Sequence, residues 1–250
     1  TLNGGVLLLG LIYFSFQIYC DFSGYSDIAI GTSKLFGFEL MSNFKFPYFS
    51  RDIGEFWRRW HISLSTWFRD YLYIPLGGSK GGMWLSIRNI FIIFIVSGFW
   101  HGANWTFIMW GLIHAILYIP LFLRGKNRQY TTTIVAERRW FPSLKELFQM
   151  GITYFSTMIA WVFFRSETIS SGIEYIIIIF NNFALPSSYR FFSLHVLVIL
   201  FFDWIVKESE RDIIFSRNKI LRFTLYMIIL FFYVINLFND VKEDFIYFQF

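Results

Sequence analysis

Residues 95–111 read IVSGFWHGANWTFIMWG. Most of these residues are apolar or glycine, which is the composition of a segment buried in a bilayer. His101 stands in the middle of the stretch, and it is the one residue there that can take up a proton near neutral pH. The sequence therefore predicts a membrane segment that carries a chemically active group.

The composition of the 250-residue chain extends this prediction to the whole protein. Hydrophobic residues make up 56% and charged residues 16%, whereas soluble domains hold about 25% charged residues. A soluble fold could not hide so much apolar surface, so we expect an all-α integral membrane protein surrounded by lipid. The net charge of +5 fits basic cytoplasmic loops. No basic run has the pattern of a nucleic-acid groove, so nucleic acid is not an expected partner.

Apolar runs indicate the membrane spans. Asp27 and Lys34 weaken the second span, and Asp21 and Ser23 resemble helix caps at a break between the first two. Residues 173–183 are too few to cross the bilayer, so a re-entrant or interfacial piece is predicted there. The predicted spans are residues 7–20, 22–40, 87–100, 105–123, 147–164, 194–206 and 221–237.

The loop at residues 124–145 orients the chain, because its basic side chains far outnumber Glu137, its one acid. Cytoplasmic loops carry an excess of Lys and Arg, so this loop is predicted to face the cytoplasm. Residues 165–192 would then lie outside and residues 207–219 inside. The chain starts without Met and without a basic leader, and we expect it to be the C-terminal part of a longer multi-pass protein. Residues 1–250 are predicted to form a single membrane domain.

Residues 53–73 combine a helical pattern with many charges, which is unusual inside an apolar protein. On one continuous helix Arg58, His61 and Ser65 would share a face. Two interpretations stay open. The helix either lies in the headgroup layer with its tryptophans in lipid, or it is buried in the protein with its polar face lining a cavity.

Charged groups around this helix have both structural and functional interpretations. Glu55 and Arg59 have the i, i+4 spacing of an ion pair. Arg58 and Arg59 either anchor Glu55 and lipid, which we favour, or hold donor phosphates. The glycine-rich residues 73–82, YIPLGGSKGG, lack the spacing of a Walker loop. They form either a flexible turn or a contact for a polyanionic donor such as the phosphates of coenzyme A.

Histidines are the main candidates for chemistry. Desolvation favours the neutral imidazole, which can accept a proton, so a buried histidine beside a cavity suits a general base. His61 and His101 are the candidates, and Gly98 and Gly102 remove side chains around His101, so another backbone or a substrate can approach. His114 is interpreted as a satisfied packing histidine. The histidines match no metal-binding motif, so no metal site is predicted.

A proton-coupled transporter is the alternative from another functional class. Asp21 and Asp27 would then be relay carboxylates that act with the histidines. Cys20 is the only cysteine, which excludes an internal disulfide, and it is interpreted as a small buried hydrophobe.

Several stretches together resemble the membrane-bound O-acyltransferase family, in particular its bacterial branch that O-acetylates alginate, peptidoglycan and other envelope polysaccharides. They are YCDFSGYSDIAIG (19–31), NFKFPYFSRDIGEFWRRWHISLSTWFRDYLYIPLGG (43–78) and GFWHGANWTFIMWG (98–111). The closing DFIYFQF (244–250) is similar to the family's C-terminal end. The resemblance is dense over residues 19–111, and residues 112–250 would supply further transmembrane helices.

The resemblance implies a fold, a donor and an acceptor. The fold would be a multi-span bundle of tilted helices, some short or re-entrant, around a central funnel in the bacterial inner membrane. The histidine of the WHG stretch, His101, would be the catalytic base, and that of the RRWH stretch, His61, a second functional histidine. Acetyl-CoA or another acyl thioester would be the donor, with no bound cofactor. The acceptor would be an extracytoplasmic polysaccharide or a partner protein that relays the acetyl group.

A sibling branch of the family moves D-alanine onto teichoic acid from a carrier protein, and it shares the WHG and RWH stretches. The continuation YIPLGGSKGG is more similar to the polysaccharide-acetylating branch. Asn104, three residues after His101, is a candidate donor to the developing oxyanion. The residues predicted to contact substrate are Asn104, Arg58, Ser65, Trp100 and Asp21.

Overall fold

A computed structural model describes residues 3–186 and 193–208, together with residues 220, 223–224, 226–228, 230–231 and 234. Regular structure in these residues is helical, which confirms the all-α prediction. The helices are α1 (Gly4–Leu35), α2 (Ile53–Arg59), α3 (Ile62–Phe68), α4 (Met83–His101), α5 (Trp105–Leu123), α6 (Leu144–Arg165), α7 (Ile169–Asn181) and α8 (Ser193–Val206). The predicted span at 221–237 and the motif at 244–250 lie outside the continuous described ranges.

Within the described residues, α1, α4, α5 and α6 are long and apolar enough to cross a membrane. The bounds of α5 are those predicted from the sequence. The shorter helices α7 and α8 have 13 and 14 residues. At about 1.5 Å per residue, neither reaches across a hydrocarbon core about 30 Å thick. The short piece predicted at 173–183 is found as α7, and the described part of the span predicted at 194–206 is the short helix α8.

Helix α1 is a single helix of 32 residues, so the predicted break between two spans near residue 21 is wrong. Asp21 and Ser23 lie inside the helix and not at either of its ends. Ser23 Oγ donates to the Cys20 carbonyl oxygen at 3.5 Å. A serine whose hydroxyl donates a hydrogen bond to a carbonyl of the preceding turn is tolerated in the interior of a helix. The cap is Asn3, whose Oδ1 accepts a hydrogen bond from the Val6 N–H at 2.9 Å.

The continuous helix predicted over residues 53–73 is also wrong, because the chain breaks between α2 and α3. His61 adopts a left-handed backbone with φ of +44°. The Ile62 N–H donates to the Asn43 carbonyl at 3.0 Å, and the Ser63 N–H donates to Asn43 Oδ1 at 3.1 Å. A loop that is remote in sequence thus takes over the hydrogen bonds that a continuous helix would have made. As a result, His61 does not share a helical face with Arg58 and Ser65.

Helices α4 and α5 are antiparallel neighbours whose backbones lie very close together. A Cβ atom at Gly98 would lie 2.3 Å from the Phe107 carbonyl oxygen, and one at Gly111 would lie 2.1 Å from the Phe94 carbonyl oxygen. Glycine is therefore required at both positions. This confirms that Gly98 admits another backbone, and it fixes the position of the last turn of α4, which carries His101.

The core between α1, α2, α5 and α6 is largely aromatic, and it buries one carboxylate. Phe56 and Trp161 are among its largest fully buried side chains. Glu55 is 0% exposed and accepts hydrogen bonds from Arg51 at 3.0 Å and from Arg59 at 2.8 Å. The predicted ion pair of Glu55 with Arg59 is confirmed. Burial of α2 in this core favours the interpretation of a helix buried in the protein over that of a helix in the headgroup layer, for residues 53–59.

Candidate active site

His101 is the last residue of α4, and its half-buried imidazole is surrounded by aromatic rings. Its ring centroid lies 5.2 Å from that of Trp110, 5.0 Å from Phe164 and 4.9 Å from Trp100. The first two contacts are edge-to-face, with interplanar angles of 86° and 79°. Helices α5 and α6 therefore hold the orientation of this ring. A partly exposed imidazole between packed aromatic walls is suited to act on a bound substrate.

His61 lies near His101, because the rings of both contact Trp100. The His61 ring is 6.1 Å from the ring of Trp100 and 4.6 Å from that of Phe22 in α1. Ser63 Oγ lies 3.5 Å from His61 Nδ1. Burial lowers the pKa of His61 to about 4, so its imidazole is neutral at pH 7. The structure thus brings together the two histidines singled out in the sequence.

A cavity of about 700 Å³ opens beside the predicted cytoplasmic loop. Its wall includes residues 127–128 and 130–134 of that loop, with parts of α2, α3, α4 and α5. This volume is within the range of about 300–1,000 Å³ that is usual for small-molecule sites. No acidic side chain is found among its described lining residues. The basic residues of the lining are Lys45, Arg58, Arg59, Arg69, Arg128 and Lys207.

Two of these basic residues hold the cavity wall. Arg58 donates to the carbonyl oxygens of Asn127, at 2.7 Å, and Tyr130, at 3.3 Å, and so fixes the loop. Burial lowers the pKa of Arg58, and the nearby carboxylate of Asp52 opposes that shift. Arg59 donates to Glu55 and, at 3.0 Å, to the Lys45 carbonyl oxygen. Their positive charge lies beside a space whose described lining has hydroxyl groups but no acidic side chain, which suits an anionic ligand.

The cavity approaches His101 along α4 but does not include it. The α4 residues in the lining are Ile90, Ile93, Phe94 and Ser97. Spacing of three and four residues places Ile90, Phe94, Ser97 and His101 along one face of the helix. Ser97 is one turn before His101, or about 6 Å along the helix axis. The cavity therefore reaches to within one helical turn of His101.

The remaining predicted site residues have different positions. Ser65 lines the cavity. Trp100 is exposed beside both histidines, and Asp21 lies inside α1. Asn104 caps α5, since its Oδ1 accepts from the Thr106 N–H at 3.1 Å while its Nδ2 donates to the Glu167 carbonyl at 3.1 Å. The amide of Asn104 thus ties two turns together, and its predicted role as an oxyanion donor stays a prediction.

With this geometry in place, comparison with known proteins gives a family for the chain. Residues 6–133, just over half of the chain, match the membrane-bound O-acyltransferase family, MBOAT. The chain belongs to the membrane-bound O-acyltransferase family. The matched segment contains both histidines, the α4–α5 pair and most of the cavity wall.

Curated relatives carry the names of acyl-transfer proteins. The chain is 46% identical over 162 residues to a probable alginate O-acetylase, AlgI, of Pseudomonas syringae pv. tomato, covering 64% of this chain and 29% of that protein. It is 42% identical over 161 residues to a peptidoglycan O-acetyltransferase of Helicobacter pylori, with the same two coverages. It is 35% identical over 144 residues to a teichoic acid D-alanyltransferase of Bacillus subtilis, covering 54% of this chain and 34% of that protein. The chain thus spans about three tenths of the length of these relatives.

The structure of this family member also adds two features that the sequence analysis missed. Residues 130–134 line the cavity, although the sequence indicated only the orientation of their loop. His114 packs as predicted, with ring centroids 4.9 Å from both Trp57 and Trp110. The prediction that it is satisfied is wrong, because neither ring nitrogen has a hydrogen-bond partner among the described residues. The helical spacing of Trp110 and His114 in α5, together with Trp57 in α2, was the sequence signal that could have predicted this packing.

Proposed function

We propose that the chain is the catalytic part of an O-acyltransferase in the inner membrane of a bacterium. It would move an acetyl group from a cytoplasmic thioester to a hydroxyl of a cell-envelope polysaccharide. The observation that carries the proposal is the position of the basic cavity. It opens beside the predicted cytoplasmic loop and ends at Ser97, one helical turn from His101. His101 is at the opposite end of α4 from that loop, which is where a donor from inside and an acceptor from outside would meet.

The donor of this proposal is an acyl thioester that carries phosphate groups, acetyl-CoA in the first place. Phosphates suit a cavity whose charged lining is basic, because Lys and Arg bind phosphate oxygens by charge-assisted hydrogen bonds. The apolar side chains of Trp57, Ile93 and Phe94 line the part nearest to His101 and suit the uncharged thioester end. The phosphate end would stay near the loop.

The chemistry of this proposal is general-base acyl transfer. His101 takes the proton of the acceptor hydroxyl while the hydroxyl oxygen attacks the carbonyl carbon. The C–S bond then breaks, and the imidazolium returns the proton to the thiolate, which leaves as a thiol. A positioned general base contributes about 10²- to 10⁴-fold to such a step. His61, neutral at pH 7, would orient the acyl group or polarise its carbonyl.

The acceptor class comes from the relatives' names, an alginate O-acetylase and a peptidoglycan O-acetyltransferase. The hydroxyl would belong to such a polysaccharide or to a partner protein that relays the acetyl group to it. D-alanyl transfer is the second candidate, because a teichoic acid D-alanyltransferase is 35% identical to the chain over 144 residues.

The test is replacement of His101 by Ala and by Gln in cells that express the full-length protein. Envelope glycans are released and their acetyl and D-alanyl esters are measured by mass analysis, with the protein level checked by immunoblot. We expect both variants to lose acetyl esters at a normal protein level. Loss of D-alanyl esters instead would favour the second candidate. Acetyl esters that persist at the wild-type level in both variants would contradict His101 as the base.

A further inference from the structure

Ser97 is the polar group at the inner end of the cavity. It is 4% exposed and lines the cavity, and the other α4 side chains in the lining are apolar. The neighbouring walls at this end, Trp57 and Phe94, are aromatic. A ligand that fills the cavity toward His101 therefore meets one hydroxyl of α4 in apolar surroundings.

The Ser97 hydroxyl also differs from the other buried serine of the same helix. Ser86 Oγ donates to the Gly82 carbonyl oxygen at 2.9 Å, as serines inside helices often do. Among the described residues, Ser97 Oγ makes no hydrogen bond. Its donor and acceptor capacity is thus available to a molecule in the cavity.

The position of Ser97 is fixed by the packing of its neighbour. Gly98 lies against the Phe107 carbonyl, so the backbones of α4 and α5 are in close contact next to Ser97. Ser97 and His101 have i, i+4 spacing on this rigid helix, which places both side chains on one face. Any group bound at Ser97 is therefore presented toward His101.

We propose that the Ser97 hydroxyl donates a hydrogen bond to the carbonyl oxygen of the acyl thioester and strengthens this bond as negative charge develops on that oxygen. The inference rests on the proposed acyl transfer and deepens it. It places the oxyanion donor on the cavity side of His101, whereas Asn104 lies beyond His101 and is bonded to other turns. The hydroxyl stays a hydroxyl throughout, and the proton that moves belongs to the acceptor.

The test compares Ser97→Ala, Ser97→Thr and the matched control Ser86→Ala in membranes that contain the full-length protein. Acetyl transfer from acetyl-CoA is measured as kcat and KM at equal protein level, with His101→Ala as the blank. Loss of one donor to a developing oxyanion lowers kcat by about 10²- to 10³-fold in favourable cases. We expect Ser97→Ala to lower kcat by at least about tenfold with little change in KM, and Ser97→Thr and Ser86→Ala to stay within about threefold.

The outcomes separate this inference from the proposed function. If Ser97→Ala keeps the wild-type kcat while His101→Ala is inactive, acyl transfer stands and the role of Ser97 is wrong. If Ser97→Thr loses as much activity as Ser97→Ala, the hydroxyl is not the cause and the role is also wrong. If the wild-type protein transfers no acetyl group above the His101→Ala blank, the proposed function itself fails.

Discussion

The imidazole of His101 lies edge-to-face against the indole of Trp110, with ring centroids 5.2 Å apart and an interplanar angle of 86°. Trp110 is in α5, five residues after the helix begins, and it is buried. The contact therefore links the orientation of the proposed base to the packing of the neighbouring helix. Edge-to-face aromatic pairs contribute about 0.5–1.5 kcal/mol beyond the burial of their surface.

This contact predicts that Trp110 positions His101. Trp110→Ala should lower acyl transfer by about 100-fold, because a displacement of about 1 Å at a reacting group can cost that much. Trp110→Phe keeps an aromatic wall and should retain activity within about tenfold. Trp105→Phe is the matched control, since Trp105 is in the same helix and is 75% exposed. Rates of acyl transfer at equal protein level check this prediction. A Trp110→Ala protein with the wild-type kcat would show that the Trp110 ring is not needed to orient His101.

Features that depend on local sequence pattern could be predicted from the sequence alone. The bounds of α5 follow from an apolar run, and the pairing of Glu55 with Arg59 follows from helical spacing. The break at His61 could not be predicted in this way, because it depends on hydrogen bonds from Asn43, which is remote in sequence. The approach of Ser97 to the cavity depends likewise on the packing of α4 against α5. Local pattern thus determined elements such as α5, whereas contacts distant in sequence determined the break at His61 and the site.

The neutral state of His61 predicts a pH dependence of stability. Burial lowers its pKa from 6.5 in the unfolded chain to about 4 in the folded protein. Between these two values the unfolded state binds more protons, so stability is fully present above about pH 6.5 and is lost as pH falls toward about 4. The loss attributable to this group is on the order of 3 kcal/mol. Thermal unfolding in detergent between pH 4 and 8 measures it.

The control for this pH dependence is His61→Gln, which has no titratable ring. Its unfolding temperature should fall less than that of the wild type across the same window. Carboxylates that titrate below pH 5 affect both proteins equally, so the difference between the two curves isolates His61. Parallel curves for the two proteins would contradict the buried neutral imidazole.

The burial of Glu55 predicts a large effect on stability. Its carboxylate is 0% exposed and balances the guanidinium groups of Arg51 and Arg59. Removing one partner of a buried ion pair costs about 3–5 kcal/mol, because the other charge is left uncompensated. Glu55→Gln should therefore lower the free energy of unfolding by about that amount. Asp70→Asn is the control, since its pair with Arg69 is exposed and should contribute little. If both variants lowered the free energy of unfolding by the same small amount, the charge of Glu55 would not be needed for the stability of the fold.

Replacement of His114 by an apolar residue should affect stability in the opposite direction. Its ring nitrogens have no hydrogen-bond partner among the described residues. An unsatisfied buried polar group costs about 1–3 kcal/mol, and an apolar side chain of similar volume avoids that cost. His114→Leu should therefore keep or raise the unfolding temperature, whereas His114→Ala should lower it by leaving a cavity among Phe56, Trp57 and Trp110. Thermal unfolding followed by tryptophan fluorescence separates the two variants. A His114→Leu protein as unstable as His114→Ala would show that the imidazole makes a polar interaction essential to the fold.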